Sequence, residues 1–255
     1  MNVSSEIHLS VVIPAFNEEG NVGPVLEDTL RVLSAEAAIG PFEIVVVDDG
    51  SRDETGARAE VYGARYPNVR VLRHPENRGI GAALRTGYAA ARGQWVVATC
   101  ADGEVPVSDV IELLKLTPGM DLVVSARQRQ PGSGKRQLFS KAYHCLTNLL
   151  VGFDLSGMEG IYVVRRDVLK DLAMTSNTPL LNLEIIMQCV ARGCRIARGQ
   201  MHVLPRLSGQ SKMATWRSIL KVILETLLLR LRLFRAKMFG RFGSGAVPAR
   251  PADSN

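Results

Sequence analysis

The stretch FEIVVVDDGS, residues 42–51, decides the fold class of this chain. An almost continuous apolar run from Glu43 to Val47 ends in a turn that contains Asp48, Asp49 and Gly50. A strand without polar alternation is typical of a parallel sheet that is covered by helices on both faces. We therefore predict a buried strand here, with its carboxyl end opening into an acidic turn.

Strand-like and helix-like segments alternate on both sides of this run. The other predicted strands are residues 9–13, 69–72, 94–99, 121–126 and 161–165, and residues 194–204 form an extended segment; the predicted helices are residues 19–38, 53–65, 79–91, 137–151, 182–192 and 215–239. This alternation predicts an α/β fold with a mostly parallel sheet and helices on both faces. A chain of 255 residues that is 46% hydrophobic suffices for one such domain, which we place at residues 1–212.

Polar clusters follow three of the predicted strands. They read PAFNEE at residues 14–19, DDGSRDET at residues 48–55 and CADGEVP at residues 100–106. Ligands of such sheets bind beyond the carboxyl ends of the strands. Three acidic strand ends in one crevice favour a divalent cation that bridges phosphates. Each cluster alone has a simpler interpretation as a turn or a helix cap.

Positive charge is concentrated near the carboxyl terminus. Of the total formal charge of +6, residues 206–241 carry nine Lys and Arg against the single acid Glu225. Apolar positions recur at helical spacing within residues 219–234, which predicts a basic amphipathic helix at residues 213–241 and a disordered tail at residues 242–255. Such a helix suits the surface of an anionic membrane; the alternatives are docking on its own core or on a second subunit, as in a homo-oligomer.

Several classes of protein are disfavoured. Four cysteines, at 100, 145, 189 and 194, show neither C-x-x-C spacing nor a dense framework, which argues against a zinc site or a disulfide scaffold. No secretory signal is recognisable, and charges interrupt the longest apolar stretch, so we expect a cytoplasmic protein, peripheral on the inner face of the membrane if the basic helix binds there. Sparse aromatic residues leave no stacking platform for nucleic acid.

Five motifs in this order resemble a known family. They are SVVIPAFNEEGNV (10–22), IVVVDDGSRDETG (44–56), NRGIGAALRTGYAAARGQWV (77–96), CADGEVP (100–106) and RLSGQSK (206–212). Together they resemble inverting GT-A glycosyltransferases of family 2, of the dolichol-phosphate mannose synthase and polyprenyl-phosphate glycosyltransferase type. The resemblance extends from residue 9 to about residue 230, and its first two motifs are specific in combination.

The resemblance implies a nucleotide-sugar donor site. The residues that it assigns to the nucleotide are Pro14, Phe16, Glu18, Asp48, Asp49, Ser51, Gly79 and Asp102. It also implies a D-x-D motif that binds Mg²⁺ or Mn²⁺, with Asp102 as the second acid, Glu104 as a further metal contact and Cys100 in place of the first acid. Because these cations prefer hard oxygen ligands, the thiol predicts a weakened or altered metal site. Metal-independent donor binding and lost catalysis stay open as alternatives.

The resemblance further places basic groups around an acceptor phosphate. It assigns that phosphate to Arg127, Arg136 and Ser140, and it counts Asp102, Arg127, Arg206 and Lys212 as catalytic. The family's D-x-x-S/T-G-F-R stretch is altered here to SGMEGIY at residues 156–162, which leaves the sugar and the acceptor undetermined.

The predicted reaction is inverting transfer of a sugar to a polyprenyl- or dolichyl-phosphate acceptor. Two alternatives are a transferase that acts on a soluble hydroxyl acceptor, with Glu159 or Asp154 as its base, and a degenerate protein that only binds nucleotide sugars.

Overall fold

A twisted sheet forms the centre of the protein. The computed structural model describes residues 7–127, 158, 160–205 and 207. Within these residues seven strands share one sheet in the order β3-β2-β1-β4-β6-β5-β7. The strands are β1 (Leu9–Ala15), β2 (Phe42–Asp48), β3 (Val69–Arg73), β4 (Trp95–Ala98), β5 (Leu122–Arg127), β6 (Tyr162–Arg165) and β7 (Ile196–Met201).

Helices connect most of these strands. They are α1 (Val22–Ala35), α2 (Thr55–Arg65), α3 (Ile80–Ala90), α4 (Val107–Leu114), α5 (Arg166–Lys170) and α6 (Leu180–Ala191), with a 3-10 turn at Ala37–Ile39. A search of the described residues finds no helix with the length and apolar character that a membrane span requires.

Two hydrophobic clusters cover the two faces of the sheet. Val11 and Ile13 of β1 point into one cluster, which contains the apolar faces of α1 and α4. Val12, between them, points into the other cluster, where α3 and α6 pack. Since both faces are covered, residues 9–13 of β1 are buried whichever face they point to. This explains why the strand shows no polar alternation.

The predicted fold is confirmed, with one strand running against the others. β1 pairs in parallel with β2 and β4, β2 with β3, and β5 with β7, whereas β6 is antiparallel to both β4 and β5. Residues 161–165 were predicted as a strand, but an apolar run carries no information about direction. The short helices α4 and α5 were not predicted at all.

Several predicted elements lie outside the described residues. They are the helix at residues 137–151, the basic amphipathic helix at residues 213–241 and the tail at residues 242–255. The division of the chain at residue 212 therefore stays a prediction.

Candidate active site

The carboxyl ends of β1 and β2 lie side by side. Ala15 pairs with Asp48 at the end of the parallel ladder. The main-chain N–H of Asp49 then donates to the carbonyl oxygen of Ala15 at 2.9 Å. Two of the three predicted acidic clusters are therefore adjacent at the same edge of the sheet.

The loops that follow these two strands are hydrogen-bonded to each other. Asn17 N donates to Ser51 Oγ at 2.9 Å, and Glu18 N donates to Thr55 Oγ1 at 2.7 Å. In return Arg52 N donates to the side-chain oxygen of Asn17 at 2.9 Å. Asn17 adopts a left-handed backbone conformation with φ 53°, which asparagine tolerates better than most residues. The PAFNEE and DDGSRDET clusters thus form one unit, in which Glu18 and Ser51 are fixed relative to each other.

Asp53 reinforces this unit from the second loop. Its carboxylate accepts from the hydroxyl of Thr55 at 2.5 Å and from the main-chain N–H of Glu19 at 3.3 Å. Burial opposes ionisation, but the Thr55 hydroxyl and several main-chain amides hold the pKa of Asp53 below its usual value. The carboxylate is therefore ionised at neutral pH and its hydrogen bonds to the loop are charge-assisted.

Asp48 is a fully buried carboxylate that braces the second loop. One oxygen accepts from Ser51 N at 3.0 Å, and the other accepts from Arg73 Nε at 3.1 Å. Gly56, in the first turn of α2, leaves room for this pair, because a Cβ there would lie 2.5 Å from the Asp48 oxygen. This ion pair therefore links the carboxyl ends of β2 and β3.

The carboxylate of Asp49 binds the residues immediately before α3. Its two oxygens accept from His74 Nδ1 at 2.6 Å, from Arg78 N at 3.0 Å and from Gly79 N at 2.8 Å. Gly79 has φ 94°, and a Cβ on it would lie 2.5 Å from the carbonyl oxygen of Asn177, so only glycine fits. The predicted residue Gly79 is thus held beside Asp49 at the amino terminus of α3, where the partial positive charge of a helix favours anions.

The third acidic cluster emerges from β4, the other neighbour of β1. Thr99 N donates to the carbonyl oxygen of Val12 at 3.0 Å, which continues the pairing of β4 with β1. Asp102 is largely buried, and one of its carboxylate oxygens accepts from Glu104 N at 3.1 Å. Gly103, between them, has φ 73° and allows the tight turn. All three acidic clusters consequently share one edge of the sheet, as predicted.

The altered D-x-D motif offers two carboxylates, those of Asp102 and Glu104. Among the described residues, no three Asp, Glu, His or Cys side chains form a group that could hold a metal ion by themselves. Mg²⁺ is usually held by one or two protein carboxylates together with substrate phosphates, so Asp102 and Glu104 fit that requirement. Cys100 is half-buried and offers a thiol, which is a poor ligand for this ion.

Sequence analysis missed a histidine at this edge. Asp109, buried in the first turn of α4, accepts from His202 N at 2.5 Å and pairs with His202 Nδ1 at 3.1 Å. Beyond His202, Leu204 N donates to the carbonyl oxygen of Glu104 at 2.9 Å, and Leu207 N donates to that of Asp102 at 3.2 Å. Nothing local in the sequence signals this, because the partners lie 93 residues apart.

The predicted acceptor residues are only partly described. Arg127 is exposed at the end of β5, where it pairs with Met201 of β7, immediately before His202. It therefore lies at the same edge of the sheet as the acidic clusters. Arg136, Ser140, Asp154, Glu159, Arg206 and Lys212 lie outside the described residues.

Comparisons with known proteins provide independent evidence about the family of this chain. The family model for "Glycosyl transferase family 2" matches residues 10–172. The chain is 30% identical over 172 residues to a dolichyl-phosphate beta-glucosyltransferase of Trichomonas vaginalis, covering 62% of this chain and 49% of that protein. It is 38% identical over 112 residues to the Homo sapiens dolichyl-phosphate beta-glucosyltransferase, covering 42% of this chain and 35% of that protein. The chain thus spans about half the length, or less, of these curated relatives.

A solved structure extends the similarity over more of the fold. Glucosyl-3-phosphoglycerate synthase from Mycobacterium tuberculosis, in complex with Mg²⁺ and uridine diphosphate, superposes with a TM-score of 0.66 at 26% identity. The match covers 88% of this chain and 79% of that one. With the motifs, the fold and the family match in agreement, this chain belongs to glycosyl transferase family 2.

Proposed function

We propose that this chain transfers a sugar from a nucleotide-sugar donor to the phosphate of a polyprenyl or dolichyl phosphate, with inversion at the anomeric carbon. The observation that carries the proposal is the similarity to dolichyl-phosphate beta-glucosyltransferases, in a chain whose three acidic strand ends share one sheet edge.

The proposed donor is a uridine diphosphate sugar. Support comes from the structural neighbour that was solved with uridine diphosphate and Mg²⁺. We assign the nucleotide to the predicted residues Pro14, Phe16, Glu18, Asp48, Asp49, Ser51, Gly79 and Asp102. Because Asp48 and Asp49 are buried and bound to internal donors, we expect them to serve the nucleotide mainly by bracing the loops that surround it.

The proposed mechanism depends mainly on positioning. A phosphate monoester is already ionised at neutral pH, so its attack on the anomeric carbon needs no strong general base. The departing diphosphate does need stabilisation, and a divalent cation held by Asp102 and Glu104 would neutralise part of its charge. Arg127, at the same edge, would contact phosphate, with Arg206 and Lys212 as further predicted contacts.

A soluble acceptor is the second candidate. It is favoured by the structural neighbour, which matches 88% of this chain and was also solved with phosphoglyceric acid. A hydroxyl acceptor would require a carboxylate base, for which Asp154 and Glu159 are the predicted residues.

Product analysis distinguishes these reactions. The full chain is incubated with UDP-glucose and either a polyprenyl phosphate in detergent or phosphoglyceric acid, with Mg²⁺, Mn²⁺ or EDTA. We expect a metal-dependent hexosyl polyprenyl phosphate, detected by mass spectrometry, and at least a roughly tenfold loss of rate in Asp102→Asn. Glu112→Gln, at an exposed acid of α4, is the matched control and should retain wild-type activity. A product with phosphoglyceric acid alone would support the second candidate, and binding of uridine diphosphate without any product would support the degenerate alternative.

A further inference from the structure

Two leucines beside the Asp102 turn are exposed to solvent. Among the described residues only four large hydrophobic side chains are exposed: Val61, Leu116, Leu204 and Leu207. Leu204 and Leu207 are 46% and 57% exposed, respectively. Both follow β7, at the edge of the sheet that carries the candidate site. Within the described part of the chain, half of the exposed large hydrophobic side chains therefore lie beside that site.

Hydrogen bonds hold the main chain at His202, Leu204 and Leu207. His202 is bound to the buried carboxylate of Asp109 through both its main-chain N–H and its ring. Leu204 N and Leu207 N donate to the carbonyl oxygens of Glu104 and Asp102. These bonds fix the main-chain positions from which the two leucine side chains extend.

Leu207 also packs directly against the acidic turn. A Cβ on Gly103 would lie 2.8 Å from Leu207 Cγ and 2.9 Å from Leu207 Cδ1. The isobutyl group therefore lies on the main chain between Asp102 and Glu104, the two proposed metal contacts. An apolar surface thus borders the place where the donor diphosphate is proposed to bind.

The acceptor in the proposed function combines a charged phosphate with an apolar isoprenoid chain, as the site combines charged side chains with an apolar border. Its phosphate must approach the anomeric carbon of the donor, so the first isoprene units attached to that phosphate must leave the site across its rim. A rim of exposed leucine gains free energy when an isoprenoid chain covers it, since apolar surface of both partners is removed from water. A small, fully hydrophilic acceptor would gain nothing from these two side chains.

We propose that Leu204 and Leu207 form an apolar rim that binds the isoprene units next to the phosphate of the lipid acceptor. The inference rests on the proposed function and adds to it the residues that recognise the lipid. Asp109 is then a positioning residue, which holds the rim in place through His202.

Substitution of the rim tests this inference. The full chain carrying Leu204→Asn, Leu207→Asn or both is compared with Leu116→Asn, a 40% exposed leucine that follows α4 at the other end of that helix. Kinetics are measured with a long-chain polyprenyl phosphate and with a water-soluble five-carbon isoprenyl phosphate, which keeps only the first isoprene unit, so its KM should rise less in the rim variants. We expect KM for the long-chain acceptor to rise about fivefold for each rim substitution, as follows from removing roughly half of a leucine's apolar contact. KM for the donor should change less than KM for the long-chain acceptor, because the main-chain hydrogen bonds of both leucines are retained.

Three results would contradict the apolar rim, and they differ in what they imply for the proposed function. Rim variants that behave like Leu116→Asn, in a wild-type chain that does glycosylate the long-chain acceptor, would overturn the rim and leave the proposed function intact. A loss of kcat with both acceptors would indicate a structural role and would also overturn it. A wild-type chain that gives no lipid product would overturn the proposed function itself, and the rim with it.

Discussion

The packing of α3 on the sheet leads to a prediction about Gly87. A methyl group at this position would lie 2.3 Å from Val12 Cγ1 and 3.3 Å from Val47 Cγ2. Non-bonded carbon atoms prefer about 3.5–4.0 Å, so the first contact is a severe overlap. Val12 is fully buried in a central strand and, being β-branched, has few other rotamers. In Gly87→Ala the helix must therefore move away from β1.

The expected size of the effect follows from two opposing terms. Overpacking of a core costs about 1–3 kcal/mol, whereas replacing a glycine within a helix by alanine gains roughly 0.5–1 kcal/mol. Because a 2.3 Å contact is a severe overlap, we expect a cost in the upper half of that range, about 2–3 kcal/mol, and a net loss in the free energy of unfolding of about 1–2.5 kcal/mol. For a domain of this size that lowers Tm by roughly 2–10 °C, which differential scanning calorimetry of the full chain would measure.

Gly63 provides a matched control in another helix. It lies within α2, and a Cβ there would meet Val71 Cγ2 at 3.4 Å, which is an ordinary contact. Gly63→Ala should therefore raise Tm slightly, because only the gain in helix propensity remains. Opposite signs for the two substitutions support the packing argument. A Gly87→Ala protein as stable as wild type, or equal losses in both variants, would refute it.

Two further predictions concern cysteines. Cys100→Asp places an oxygen ligand in the acidic turn. In a thermal-shift assay with uridine diphosphate, it should lower the Mn²⁺ concentration that gives half of the maximal stabilisation of the protein by roughly tenfold. Cys100→Ser is the control, and an unchanged Mn²⁺ requirement in Cys100→Asp would contradict the assignment of the metal site. The Cys189 thiol donates a hydrogen bond that lowers the pKa of Cys194 to about 7, against the effect of burial. Since the thiolate is the nucleophile, alkylation of Cys194 by iodoacetamide, followed by mass spectrometry of its peptide, should reach half its maximal rate near pH 7 instead of the usual value of about 8.5. Cys189→Ala should move this midpoint upward, and a wild-type midpoint at 8.5 or above would show that the hydrogen bond has no such effect.

The sequence was informative wherever the signal was local. The apolar run of β2 and the Asp-Asp-Gly turn behind it predicted both the strand and the position of an acidic cluster, and the structure places that cluster at the shared edge of the sheet. Helix α4 was not predicted, although Val107, Val110 and Leu113 are buried at helical spacing. A helix of only 8 residues offers too few positions for that periodicity to stand out.

Hydrogen-bond partners required the tertiary structure. Asp48 and Asp49 were predicted as nucleotide contacts, and the structure additionally binds them to Arg73 and His74, each 25 residues away along the chain. The direction of β6 and the pairing of His202 with Asp109 belong to the same class, since both depend on how distant segments meet.

The sequence by itself therefore determined the order of the strands and of the longer described helices α1, α2, α3 and α6, the acidic strand ends and the family. Side-chain periodicity and turn residues act over a few positions, so a single segment is enough to reveal them. Only the tertiary structure decided which acids brace the loops, which glycines are required by close approach, and that two leucines stay exposed beside Asp102. Those features arise when segments far apart in the chain compete for the same space and the same hydrogen-bond donors, and no single segment contains that information.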